Sequence, residues 1–113
     1  MDQTTSSDIE ALLLTSAAVK KDTAAHCSEA AFSAAELIAH SLQNGGKLML
    51  CGNGGSAGDA QHLAAEFVAT LDHQRPRSGL PALALTTDTS FITAYSNDFS
   101  FEGIFARQVE TMG

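Results

Sequence analysis

The chain has 113 residues, 44% hydrophobic and 17% charged, with 13 acids against 6 bases and a net charge of −7 when its four histidines are neutral. One domain is the ceiling at this length, and the ordinary apolar content excludes a largely disordered chain. The acidic balance excludes a nucleic-acid wrapper, which needs a basic face: outside Lys20 and Lys21, the only close basic pair is Arg75 and Arg77.

Residues 1–6, polar apart from Met1, are expected to fray. Ser7-Asp8-Ile9-Glu10 then reads as a capping box, with Ser7 as N-cap, and Ile9, Leu12, Leu13 and Ala17 follow at helical spacing. A first helix is therefore predicted over residues 7–21. A second begins near Ser28, carries Phe32, Ala35, Ile38 and Leu42 on one face, and stops at Asn44-Gly45-Gly46. Lys47-Leu48-Met49-Leu50-Cys51 is a short apolar run suited to a strand covered on both faces. A glycine-rich loop over residues 52–56 leads into an alanine-rich helix over residues 57–71. The second strand is predicted over residues 81–86, entered through Pro81, followed by short helices over residues 89–95 and 101–111. Strand, glycine loop, helix and strand form a βαβ unit with parallel strands and a right-handed crossover, so the fold class is α/β.

Ligands of open α/β sheets collect at the carboxyl ends of strands, where loops lead into helix N-termini. Gly52-Asn53-Gly54-Gly55-Ser56 occupies that place. Glycines let backbone N–H groups approach an oxyanion, and the following helix adds the positive end of its dipole. Ser56 and Asp59 fit a second capping box, which leaves Ser56 as cap, ligand contact or both. A tight turn without a ligand explains the same residues. The run is not a P-loop, because no Lys-Ser/Thr follows it. Gly52, Gly54 and Ala57 match the dinucleotide fingerprint in its alanine form, but Asp72 precedes the next strand and Asp88 comes too late to serve the ribose. A sugar phosphate suits the loop better than NAD.

His62 and Glu66 are four apart and share a helical face. Their nitrogen and carboxylate oxygen suit zinc, or the carboxylate serves as general base beside the imidazole. Apolar Leu63, Ala64, Ala65, Phe67 and Val68 surround the pair and predict partial desolvation; a surface ion pair is the plainer alternative. Thr86, Thr87 and Asp88 follow the second strand, where Asp88 reads as a helix cap. Asn97 and Asp98 are expected in the next loop, where turn chemistry alone would account for them. Cys27 and Cys51 make neither a CxxC nor a zinc spacing and are expected as small buried thiols. Residues 11–19 follow acids instead of a basic n-region, and no run approaches the ~20 apolar residues of a membrane span. Neither a targeting segment nor a membrane partner is expected, and the predicted setting is the cytoplasm.

CGNGGSAGDAQHLAAEFV, residues 51–68, resembles the signature of phosphoheptose isomerases, members of the sugar-isomerase or SIS fold. The likeness continues through RPRSGLPALALTTDTSFITAYSNDFSFEGIFARQVETMG and is fainter over the N-terminal helices. It implies an aldose–ketose isomerisation of sedoheptulose 7-phosphate to a manno-heptose 7-phosphate, toward the heptose of bacterial cell-surface polysaccharide such as lipopolysaccharide. By that resemblance Asn53, Gly54 and Gly55 match sugar-binding positions and Ser56 a phosphate contact. His62 and Glu66 match zinc ligands, Glu66 also being a substrate contact and the acid/base, and Asn97 and Asp98 match a further substrate-binding pair. One zinc per site is implied, with an incomplete ligand set here: the family's Ser-Thr-Ser phosphate loop and distant Gln and His have no counterpart before Gly113.

The expectation is thus one shortened SIS-like domain over residues 1–113, with a helical segment over 7–44 and a βαβ core over 47–113. Two parallel strands leave unpaired edges, and the helical apolar faces exceed what they cover, so self-association is expected; the resemblance implies a tetramer. Two alternatives compete with the isomerase. One is a non-catalytic SIS binding module, like the relative that associates with the bacterial replication initiator and lacks an acid where Glu66 stands. The other is a sugar-phosphate sensor that kept the loop without the chemistry.

Overall fold

The computed structural model describes residues 4–113, and the chain divides into two compact units, Met1–Leu37 and Ile38–Gly113. The first unit is helical throughout its described core, as part of α1, Ser6–Gln43. This single helix replaces the two predicted ones. Nothing between Lys21 and Ser28 breaks it: the stretch holds neither Gly nor Pro, and Thr23 and Ser28 turn their hydroxyls back to the carbonyls of Val19 (2.8 Å) and Ala24 (2.6 Å). A Ser28 that bonds backward within a helix is not an N-cap.

The capping box also lies two residues earlier than predicted. Thr5 donates its N–H to Asp8 Oδ2 at 2.8 Å, and its Oγ1 accepts from the Asp8 N–H at 3.4 Å. Thr5 Oγ1 in turn donates to Asp8 Oδ2 at 2.6 Å. That hydroxyl first, and the Thr5 N–H second, hold the Asp8 carboxyl below its ordinary value of 3.8. Along α1 no residue is buried, and Ile9, Leu12, Leu13, Val19 and Phe32 are exposed.

The second unit begins in the last turns of α1. Gly46 N–H bonds Ser41 O (2.9 Å) and Gly45 N–H bonds Leu42 O (3.3 Å), with Gly45 at φ +80°. These paired bonds end the helix in a Schellman motif, which needs a residue tolerant of the left-handed region at Gly45. The chain then enters β1, Leu48–Leu50, which pairs in parallel with β2, Ala82–Ala84, in the register Leu48↔Ala82, Met49↔Leu83, Leu50↔Ala84. Both strands are shorter than predicted.

Between them runs α2, Gly55–Val68, which packs on both strands. Ala60 and Ala64, one turn apart and buried, form its inner face, and their size lets the helix backbone approach the sheet. Beyond β2 come α3, Thr89–Asp98, a 3-10 turn at Phe101–Gly103, and α4, Ile104–Met112. Leu85 and Ile104, each 2% exposed, form the centre of the core together with the buried amide of Gln108. The expected buried thiols are exposed instead. Cys27 lies on α1, which buries none of its residues, and Cys51 lies just past the end of β1. The α/β expectation holds, with a parallel two-stranded sheet and a helical connection.

Candidate active site

The chain leaves β1 at Leu50 and turns through Cys51, Gly52 and Asn53 before α2 starts. Two glycines here are required by geometry. Gly54 sits at φ +56°, ψ −123°, where a side chain would be strained. At Gly52 a Cβ would stand 2.7 Å from both Cβ and O of Ser56, so only glycine lets the loop fold this close to the first helical turn.

The predicted Ser56–Asp59 box is absent. Gly54 is the N-cap, and no side chain caps α2. The helix opens through backbone bonds alone, from Ser56 N–H to Asn53 O (3.1 Å) and from Ala57 N–H to Gly54 O (3.1 Å). Ser56 is thereby exposed and spared from capping duty, on the first turn where the helix dipole favours an anion.

Two turns further along α2, His62 Nε2 stands 3.7 Å from Glu66 Oε1. The side chains differ in exposure: His62 is 75% accessible and Glu66 only 28%. Desolvation therefore falls on the carboxylate, not on the pair as a whole. A groove of about 350 Å³ runs beside them, floored by Phe67, Leu71 and Leu80 and reached by Arg77. Two donors of a tetrahedral zinc stand roughly 3.4 Å apart, given bonds of about 2.0–2.2 Å, so the His62–Glu66 separation fits one shared ion. Among the described residues no third His, Cys, Asp or Glu joins them.

Asn97 and Asp98 form the last turn of α3 instead of a loop. Asn97 Nδ2 donates to Asp98 Oδ1 at 2.9 Å, and among the described residues no hydrogen bond joins either to the glycine loop or to Glu66. Asp88 is the α3 cap, accepting from the Phe91 N–H at 2.9 Å. Thr86 Oγ1, also past β2, is buried without a hydrogen-bond partner.

One residue in this region carries more structure than its sequence suggests. Arg77 Nη2 donates to Glu66 O at 2.7 Å, and Nη1 donates to Phe67 O at 2.8 Å. Composition treats Arg77 as half of a weak basic pair, and its proximity to α2 depends on a turn whose return path no periodicity encodes.

A family model described as "SIS domain" matches residues 13–112. Phosphoheptose isomerase from Roseiflexus sp. (strain RS-1) is 62% identical over 79 residues, which are 70% of this chain and 39% of that protein. Phosphoheptose isomerase from Chlorobaculum tepidum is 48% identical over 101 residues, 89% of this chain and 48% of that one. Thus the chain spans less than half the length of these curated relatives. Among solved structures, a phosphoheptose isomerase from Francisella tularensis superposes with a TM-score of 0.88 at 38% identity, covering 98% of this chain and 57% of that one. The phosphoheptose isomerase from Neisseria gonorrhoeae gives 0.82 at 42% identity, covering 93% and 53%. With the matched region running from within α1 to the end of α4, the chain belongs to the SIS domain family.

Proposed function

We propose that this chain supplies the loop-and-helix part of an aldose–ketose isomerase site, acting on sedoheptulose 7-phosphate to give a manno-heptose 7-phosphate for heptose-containing polysaccharide, in the cytoplasm. The observation that carries the reading is one element: α2 opens on the glycine loop and carries His62 and Glu66 on one face, 3.7 Å apart. Its relatives are named phosphoheptose isomerases.

Moving a proton between C1 and C2 through an enediol needs a base that is positioned and partly desolvated. Glu66 has that environment and takes the proton from one carbon and returns it to the other. Asn53, Gly54 and Gly55 hold the sugar hydroxyls, and Ser56 meets the phosphate at the start of α2. Asn97 and Asp98 contact the sugar from the end of α3. His62 and Glu66 are two donors for zinc, and the remaining donors come from outside α2. When bound there, the ion supplies electrophilic stabilisation of charge on the substrate oxygens. The assembly that completes the site is a homotetramer, consistent with the exposed apolar residues of α1.

A second reading is a non-catalytic SIS binding module, since the SIS domain match over residues 13–112 is common to both readings. One assay separates the two. Purified chain is incubated with sedoheptulose 7-phosphate and Zn²⁺ beside a Glu66→Gln variant. Conversion by the wild type, reduced by about 10²–10⁴-fold in the variant, is the expected result for a positioned acid/base. Equal conversion by both, or equally weak binding by both, sinks the role of Glu66.

A further inference from the structure

The end of α2 is closed by the segment that follows it. A helix leaves its last carbonyls without intrahelical partners, and these must be met from outside. Here Ala65 O accepts from Ala69 N–H (2.8 Å), Glu66 O from Arg77 Nη2, and Phe67 O from both Arg77 Nη1 and Leu80 N–H (3.0 Å). Asp72 organises the turn that precedes Arg77. Its Oδ1 accepts from Gln74 N–H at 2.9 Å, its carbonyl accepts from Arg75 N–H at 3.0 Å, and its carboxylate pairs with Arg75 Nε at 3.1 Å. Gly79 then passes so near the helix that a Cβ would stand 2.7 Å from Val68 O. The guanidinium shares one groove with the side chains of His62 and Glu66.

We propose that Arg77 is a positioning residue for Glu66. By holding the carbonyls of Glu66 and Phe67 in one planar fork, it fixes the last turn of α2 and so the direction of the Glu66 carboxylate toward His62. A guanidinium suits this task because its donors are set in a rigid plane, whereas an ammonium is a compact charge on a flexible stem. Without the fork the turn is free to fray, as helix ends do. The inference builds on the role proposed for Glu66, but its geometry can be read without turnover.

The test compares wild-type chain with Arg77→Gln and Arg77→Lys. The first readout is the set of nuclear Overhauser cross-peaks between the His62 ring and the Glu66 γ-methylene. The second is kcat and KM for sedoheptulose 7-phosphate, measured well below the melting temperature of each variant. The expected result is a threefold or greater weakening of the cross-peaks in Arg77→Gln, less than half restored in Arg77→Lys. Where turnover is present, kcat drops at least tenfold while KM changes less than threefold. Cross-peaks of wild-type strength in Arg77→Gln overturn the proposal, as does their absence from the wild type. Should Arg77→Gln fail to fold, Arg77→Lys, which keeps the charge, decides by the same cross-peaks. A wild-type chain that shows the cross-peaks but converts no substrate would sink the isomerase reading, and the variants' cross-peaks would still decide the positioning role.

Discussion

The side-chain amide of Gln108 reaches the carbonyl of Leu85 at 3.0 Å, across 23 positions in the chain, and ties α4 to the end of β2. Its second N–H goes to Ile104 O, also at 3.0 Å, so both donors are used in a site only 7% exposed. Replacing Gln108 with leucine keeps the volume and leaves the Leu85 carbonyl unmatched in the core. The expected loss is about 1–3 kcal/mol of stability, the cost of a buried acceptor without a donor. Urea denaturation with an unchanged m-value checks it.

The glycines of the loop separate into those the backbone needs and those it does not. Gly52→Ala forces a Cβ against Ser56 and Gly54→Ala puts a side chain at φ +56°, whereas a Cβ at Gly55 meets nothing within 4 Å. The first two are expected to destabilise by about 1–3 kcal/mol through strain. Gly55→Ala, at a helical position, is expected to be neutral or to stabilise by up to about 1 kcal/mol. Thermal melts of the three variants test the ordering, and a Gly52→Ala as stable as Gly55→Ala would contradict the close approach.

Asp8 makes the start of α1 sensitive to acid. Its folded pKa is lowered by the Thr5 hydroxyl and N–H, so the stabilisation is present above its ordinary value of 3.8 and is lost as pH falls through the depressed value. Protection of the amides in the first turn of α1, measured against the unstructured exchange rate at the same pH, should therefore fall below about pH 4, where carboxylates begin to protonate. Asp8→Asn should show low protection at every pH. A flat profile in the wild type would remove the box from the account of how α1 begins.

The exposed stripe on α1 predicts association. Ile9, Leu12 and Leu13 recur at helical spacing and are 54%, 70% and 67% exposed. Light scattering is expected to give a mass several times the 11.8 kDa of one chain, and Leu12→Glu with Leu13→Glu to lower it. A well-folded wild-type monomer would contradict the stripe's role as an interface.

What could be read from the sequence was what short-range chemistry encodes. Asp88 as the α3 cap and the glycine stop of α1 each depend on residues within a few positions of one another, and each element of the βαβ order shows in its own short stretch. So does the shared face of His62 and Glu66. Errors arose where a competing local bond was available. Ser28 offered a cap and spent its hydroxyl on Ala24 O, and Thr5 took Asp8 into a box before Ser7 could form one with Glu10. Long-range partners left no trace in periodicity. No motif in the sequence marks Gln108, and Arg77 stands only as half of a close basic pair with Arg75, until the fold brings Leu85 and Glu66 to them.

The register of the sheet has a bearing on the site that neither loop has by itself. Leu50 is aligned with Ala84, and Leu85 N–H bonds Leu50 O at 2.9 Å, so both strands run out at the same level. Parallel neighbours lie about 4.8 Å apart, and the same register carried one step further sets Cys51 beside Leu85 where the two strands end. The buried, unpartnered hydroxyl of Thr86 follows Leu85 by one position. Slipping one strand by a single residue would misalign the two strand ends and turn the side chains of that strand to the opposite face. A three-rung ladder thus sets the level at which the glycine loop and the segment after β2 begin, as well as the path of the chain.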